Sequence, residues 1–139
     1  MFSLWIRVIT ELRIYCELKS LFPDTCFRQK IQGKEIDVFV PSIKLGVEYD
    51  SAFYHQDKDN EDRAKNSLME SLGLNVIRVR EQPLDRISNL DVIAPTRQLS
   101  KNDVNRLLES IAHVGALNEK LLAGYLSEKD FVSNEDFAS

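Results

Sequence analysis

Cysteine and histidine are scarce, two of each in 139 residues. Cys16 and Cys26 cannot make a four-ligand zinc site, and His55 and His113 do not complete one at a recognisable spacing, so structural zinc is not expected. No uninterrupted apolar run comes near the ~18 residues that a membrane span requires. The opening Met1-Phe-Ser-Leu-Trp-Ile-Arg7 lacks the basic segment, apolar stretch and small-residue cleavage site of a secretory signal. The expectation is a cytoplasmic protein whose cysteines are reduced, buried thiols and not a disulfide. Basic charge is not in excess either: the net charge is −4, and an acidic protein is a poor general binder of polyanions. The acid is unevenly placed, since residues 1–80 hold twelve Lys/Arg against twelve Asp/Glu and residues 81–139 hold six against ten. The neutral part can still hold a nucleic acid locally if a bound cation and nearby Arg and Lys reverse the potential there.

What remains is an ordinary soluble composition, 43% hydrophobic and 29% charged, in a chain long enough for one domain with a real core. The most informative stretch runs from Lys34 to His55. Ile36-Asp-Val-Phe-Val40 and Leu45-Gly-Val-Glu-Tyr-Asp50 are rich in β-branched and aromatic residues and are separated by Pro41-Ser42, which predicts a hairpin. Alternation puts Glu48 and Asp50 on one face with Gly46, and Leu45, Val47 and Tyr49 on the other. Asp37 and Phe39 share a face of the first strand, opposite Ile36, Val38 and Val40. If the Asp37 face lies beside the Glu48 face, carboxylates converge and repel unless a cation sits among them, and oxygen ligands of this hardness suit Mg²⁺ or Mn²⁺. A strand with one solvated face would show the same alternation.

Around this hairpin, Leu4 to Leu21 reads as a helix with Leu4, Val8, Leu12, Tyr15, Leu18 and Leu21 at three- and four-residue steps, stopped by Phe22-Pro23-Asp24. Glu11, in its middle, reads either as a solvated or Arg-paired glutamate or as a site residue. Thr25 to Ile31 predicts a short strand ended by Gln32-Gly33. His55, just past two same-face carboxylates, is either structural or a proton carrier. Asp57 to Leu72 predicts a helix with Ala64, Leu68, Met69 and Leu72 as its apolar stripe, and Leu74 to Arg80 a strand. Arg78 and Arg80 share a face of that strand, as surface charge, phosphate contacts or support for a carboxylate. Pro83 to Pro95 reads as a connector, Ser100 to Ala112 as a helix opened by Ser100 and Asp103, and Ala116 to Leu126 as a last helix. An acidic tail, residues 128–139, is expected to be loosely held.

Taken in order, Glu35-Ile-Asp-Val-Phe-Val-Pro, Lys44-Leu-Gly-Val-Glu-Tyr-Asp, Phe53-Tyr-His and Ser71-Leu-Gly-Leu-Asn-Val-Ile-Arg-Val-Arg resemble the PD-(D/E)XK restriction-endonuclease-like superfamily, in its branch similar to the very short patch repair (Vsr) endonucleases. The resemblance covers roughly residues 8–82. It implies an α/β fold with a restriction-endonuclease-like core over residues 1–82, a mixed sheet of about four strands flanked by helices. Residues 83–127 would then be a connector and a C-terminal helical extension packing on that core. It implies a Mg²⁺- or Mn²⁺-dependent endonuclease acting on DNA. The alternatives are a ribonuclease or a catalytically inactive nucleic-acid-binding subunit, either as a homodimer or within a larger assembly. Asp37, Glu48 and the Tyr49 backbone carbonyl match the metal-binding positions, Glu11 the first-helix glutamate, and His55 a residue that activates water or the leaving group. Asp50 stands where the superfamily has its lysine, and it is expected, with Glu11, to complete the metal's shell. Lys58, Lys65, Arg78 and Arg80 are the expected nucleic-acid contacts, and either lysine could replace the missing one if its helix points inward. The zinc-binding residues of the Vsr proteins are missing, so their mismatch-specific role is not implied. Because the acidic face is expected to be wet, Asp37→Ala should abolish cleavage and leave the fold intact.

Overall fold

A computed structural model describes residues 2–95 and 98–133, without the side chains of residues 2–4 and 6. A long helix, α1 (Phe2–Leu21), leads into β1 (Cys26–Ile31) and β2 (Lys34–Val40). The short 3-10 turn Pro41–Ile43 then gives β3 (Leu45–Asp50), followed by α2 (Ala52–His55), α3 (Asp59–Ser71) and β4 (Asn75–Glu81). Beyond these come β5 (Val92–Ala94), α4 (Lys101–His113) and α5 (Glu119–Leu126). The five strands form one mixed sheet in the order β1-β2-β3-β4-β5. β1, β2 and β3 pair antiparallel, whereas β3, β4 and β5 are parallel. The α/β class is as expected. The sheet has one strand more, because β5 sits inside the segment read as a connector and joins β4 beyond residue 82. Three residues are too few for a periodicity to reveal.

The main core lies on one face of the sheet. Val38, Val40, Leu45, Val47, Tyr49, Ile77 and Val79 pack there against Ile14 and Leu18 of α1 and Val104, Leu107, Leu108 and Ile111 of α4. The capping box is present: Ser100 Oγ accepts from the Asp103 N–H and Asp103 accepts from the Ser100 N–H, fixing where α4 begins. α3 covers the opposite face, where Ile36, Met69 and Val76 form a small buried apolar cluster with Ile31, Phe39, Leu68 and Leu74 packed against it. Its expected stripe does not hold, since Ala64 and Leu72 are exposed and the residues it buries are Asp62, Asn66 and Met69. α1 likewise turns Thr10, Glu11, Ile14, Glu17 and Leu18 inward, with Leu12 and Tyr15 half-buried; the Leu4 side chain lies outside the described residues.

The chain after α5 is also held. Glu17, fully buried, accepts from Tyr125 Oη at 2.6 Å, the Val132 N–H at 3.0 Å, the Ser133 N–H at 2.9 Å and the Ser133 hydroxyl. Arg13 lies 4.1 Å from the centroid of the Phe131 ring. The first part of the expected loose tail is therefore tied to α1, because a buried carboxylate needs every donor it can find; residues 134–139 lie outside the described residues. Both cysteines are free and half-buried, not buried.

Candidate functional site

Strict alternation fails at a single position of the hairpin. β1 and β2 pair through Phe27↔Val38 and Gln29↔Ile36, and the Arg28–Asp37 position between them is not paired. On β2, Val38 and Val40 face the main core while Ile36 packs on the α3 side with Met69. Arg28 has φ +55°, a left-handed conformation uncommon for such a residue. Both strands therefore change face at this point, and the ladder between β2 and β3 stops at Val38↔Val47. Gly46 belongs to the α3 side, where a Cβ would come within 3.1 Å of Ile36 Cγ2, so the glycine makes room for the switched isoleucine.

Beyond Val38 side chains replace the ladder. The Asp37 N–H donates to Glu48 Oε1 at 2.8 Å, and Asp37 Oδ2 accepts the Tyr49 N–H at 2.9 Å. N–H and C=O of one strand residue point to the same edge, so the Tyr49 carbonyl also faces Asp37. Lys65 of α3 reaches inward to Glu48 Oε2 at 2.6 Å and to the Glu35 carbonyl at 2.5 Å. Burial first, then the charges of Glu48 and Glu11, push the Asp37 carboxyl well above its ordinary value of 3.8, against the Tyr49 hydrogen bond and Lys65. Glu11, fully buried, is held by Arg7 Nε at 3.1 Å and Arg28 Nη2 at 2.6 Å. The structure thus gathers Glu11, Asp37, Glu48 and Lys65 into one seam between the sheet strands.

Asp50 and His55 belong to a second group. Asp50 is fully buried and accepts from Arg78 Nη1 at 2.9 and 3.1 Å and from Arg80 Nη1 at 2.9 Å. Arg78 also donates to Asn66 and to the Asp62 carbonyl, and Arg80 to Asp59 and Asp62. His55 Nδ1 lies 2.9 Å from Asp62 Oδ2 and Nε2 lies 3.5 Å from Asp50 Oδ1. Burial works against ionising Asp62, but the His55 hydrogen bond with Arg78 and Arg80 outweighs it and lowers that carboxyl. Burial opposes the charge on Arg78 too, and is outweighed by Asp50, Glu48 and Asp62.

Several expectations are corrected by these positions. Asp50 is clamped between two guanidiniums and so is not available to complete a metal shell with Asp37. Arg78 and Arg80 are 0% exposed; of the readings open to them, carboxylate support is the one the geometry fits, not nucleic-acid contact. Lys65 points inward to Glu48 and does not lie out on the surface of α3. Lys58 is exposed at the start of α3, with Asp57, Asp59 and Glu61 around it in the sequence. The acidic face is not wet, since every residue of β3 is buried. Asp62, Asn66, Arg7 and Arg28 escape the sequence reading; a polar Asp62-Lys65-Asn66-Met69 stripe at helical spacing was the signal for the α3 pair.

Two places could hold a cation. Asp50, His55 and Asp62 offer ligand atoms within 4.8 Å of one another, but Arg80 already donates to both carboxylates and Arg78 to that of Asp50, and a divalent ion there would face two fixed positive charges. Asp37, Glu48 and the Tyr49 carbonyl offer hard oxygens of the kind that suit Mg²⁺ or Mn²⁺, and burial with the charges of Glu48 and Glu11 disfavours a bare Asp37 carboxylate there. No protein-family model, curated protein or solved structure matches the chain. No helix among the described residues is long and apolar enough to cross a membrane.

Proposed function

We propose that the chain is a metal-dependent endonuclease that hydrolyses DNA phosphodiester bonds, built on a restriction-endonuclease-like core. The observation that carries this reading is the seam: Asp37 and Glu48 meet where the β2–β3 ladder opens, with Glu11 beside them and Lys65 in contact with Glu48. The strand order and the αβββαβ succession from α1 to β4, with the four-residue α2 set before α3, support the same assignment.

In this reading Asp37, Glu48 and the Tyr49 carbonyl would hold Mg²⁺ or Mn²⁺. When bound, such an ion neutralises a phosphate and lowers the pKa of an attacking water. Lys65 supplies the ammonium beside Glu48 that the sequence lacks at position 50, and it stabilises negative charge gathering on the phosphoryl oxygens. Glu11 closes the acidic side of the seam. His55, with both ring nitrogens toward Asp62 and Asp50, orients that buried layer and takes no assigned proton transfer.

A second reading, a non-catalytic nucleic-acid-binding subunit, is favoured by one observation: both oxygens of Glu48 and both of Glu11 already have protein partners. Plasmid, single-stranded DNA and RNA incubated with Mg²⁺ or Mn²⁺ separate the two. The hydrolase reading expects cleavage of DNA that EDTA stops and Asp37→Asn abolishes. Binding without cleavage in either metal would leave the subunit reading standing.

A further inference from the structure

Resting on the nucleic-acid reading above, we propose that Arg7, Arg28 and Lys30 form the track that holds the phosphate backbone, in place of the four cations named from sequence. Arg7 and Arg28 converge on Glu11 from two elements, α1 and β1, at 3.1 and 2.6 Å. Their side chains stay 27% and 36% exposed while Glu11 is fully buried, so each presents guanidinium edges outward above an acid that sits beneath them. A guanidinium carries five N–H donors in a planar fork that fits phosphate as it fits carboxylate. Arg7 donates to Glu11 through Nε and Arg28 through Nη2, and a guanidinium has further donors for a second oxyanion.

Lys30 extends the pair. It lies across from Glu35, on the side of β1 opposite Ile31, whose packing is on the α3 face; this puts it on the α1 side with Arg28, and it is exposed. The flank beyond α2 is mixed, with Asp57, Glu61 and Asp85 exposed beside Lys58, Arg63 and Arg86. What sets the β1 side apart is the pair of half-exposed guanidiniums over one shared carboxylate, with Glu35 facing Lys30 across the strands; phosphate contacts made there position a polyanion without reading its sequence.

The test is anisotropy of a fluorescein-labelled DNA duplex of about 20 bp in EDTA, so that nothing is cut, from about 50 to 200 mM NaCl. Lys30→Gln and Arg28→Gln are each expected to lower the slope of log affinity against log salt by about one. Together they weaken binding about tenfold or more, whereas Lys120→Gln on α5 changes neither. Because Arg28 also supports Glu11, Lys30→Gln, which touches no site residue, keeps the test meaningful if Arg28→Gln unfolds. Unchanged affinity and slope in Lys30→Gln and the double variant would overturn the track, even if the wild type cleaves DNA. A lowered slope together with no cleavage by the wild type would uphold the track and sink the hydrolase.

Discussion

The main-chain N–H of Asp37 donates to the carboxylate of Glu48 at 2.8 Å, so two acids that repel through their side chains are tied by the backbone. A third acid, Glu11, adds to the repulsion, and together with burial these charges raise the Asp37 carboxyl. The arrangement is held by structure around it and is not favourable in itself, which makes Asp37 the place where stability and function are expected to oppose each other.

That opposition has a defined sign with pH. A carboxyl whose folded pKa lies above its unfolded value binds more protons when folded, so stability falls as pH rises from about the ordinary value of 3.8 through the raised folded value. Asp37→Asn removes this dependence while keeping an oxygen for the Tyr49 N–H. Urea unfolding of the two proteins should therefore show Asn equal to wild type at the acid end and increasingly more stable toward neutral pH. A wild type that gained stability relative to Asn across this range would contradict the repulsive seam. Asp37→Ala behaves differently: it leaves the buried Tyr49 N–H without its acceptor, a cost of about 1–3 kcal/mol that offsets the relief. The intact fold expected for a wet face is thus expected of Asn and not of Ala.

Divalent metal should reverse the same penalty. An ion bound only by the folded state stabilises it by RT ln(1 + [L]/Kd), about 2.7 kcal/mol at a hundredfold excess over Kd. Thermal unfolding with Mg²⁺ or Mn²⁺ should rise for the wild type, return to baseline with EDTA, and stay flat for Asp37→Asn. An equal rise in Asp37→Asn would place the ion elsewhere, with Asp50, His55 and Asp62 the next candidate.

Lys65 joins chemistry to folding, because it holds both Glu48 and the Glu35 carbonyl. Its side chain is 23% exposed, but that of its partner Glu48 is only 5% exposed, so removing the ammonium leaves a buried carboxylate short of its cation and costs stability as well as chemistry. Removing a group that stabilises charge in the transition state costs on the order of 10²–10³ in rate. Lys65→Gln is expected to unfold at a lower urea concentration than the wild type and, under conditions where it stays folded, to cleave DNA at least a hundredfold more slowly, with Lys65→Arg between them. Full activity in Lys65→Gln would remove the ammonium from the mechanism.

How much of this was legible in the residues follows from what a periodicity can report. Val38, Val40, Leu45, Val47 and Tyr49 alternate as buried strands do, and the hairpin and the pairing of Asp37 with Glu48 come from them. The break at Arg28 and Asp37 leaves no trace in hydrophobicity, because it is a backbone switch that sends Ile36 to the other face and keeps it buried. The apolar stripe expected of α3 fails for a related reason: its buried face carries Asp62 and Asn66, which a pattern of apolar residues passes over. In the sequence Asp50 stands as an unpaired acid beside Glu48, because its partners, Arg78 and Arg80, come from a strand 28 and 30 residues later, a separation that local spacing cannot bridge.

The buried layer formed by those partners gives a further test, on stability alone. Arg78 and Asp50 are both 0% exposed and meet at 2.9 Å, and breaking a buried pair leaves one charge uncompensated, at about 3–5 kcal/mol. Arg78→Met should lose about that much in urea unfolding. Part of the loss should return when Asp50→Asn is added, because the neutral amide no longer needs a cation. The coupling expected between residues in contact is about 0.5–3 kcal/mol. Strict additivity of the two changes would mean that Arg80, Asp62 and His55 absorb the loss of Arg78, and that the layer is more forgiving than its burial implies.

Glu17 is the last case, and its role is to hold the end of the described chain. Four donors from Tyr125, Val132 and Ser133 meet this one carboxylate at the inner face of α1. A hydrogen bond to a charged group contributes about 1.5–3 kcal/mol, and a buried donor left without an acceptor costs about 1–3 kcal/mol. Tyr125→Phe removes one donor together with its need and is expected to lose only a few kcal/mol at most, while Glu17→Ala strands the Val132 and Ser133 N–H groups and loses more. Hydrogen exchange distinguishes them: Glu17→Ala should bring the Val132 and Ser133 amides to near-unprotected rates, and Tyr125→Phe should leave them slow. Protected amides in Glu17→Ala would show that packing of Phe131 on Arg13, and not the carboxylate, keeps this segment on α1.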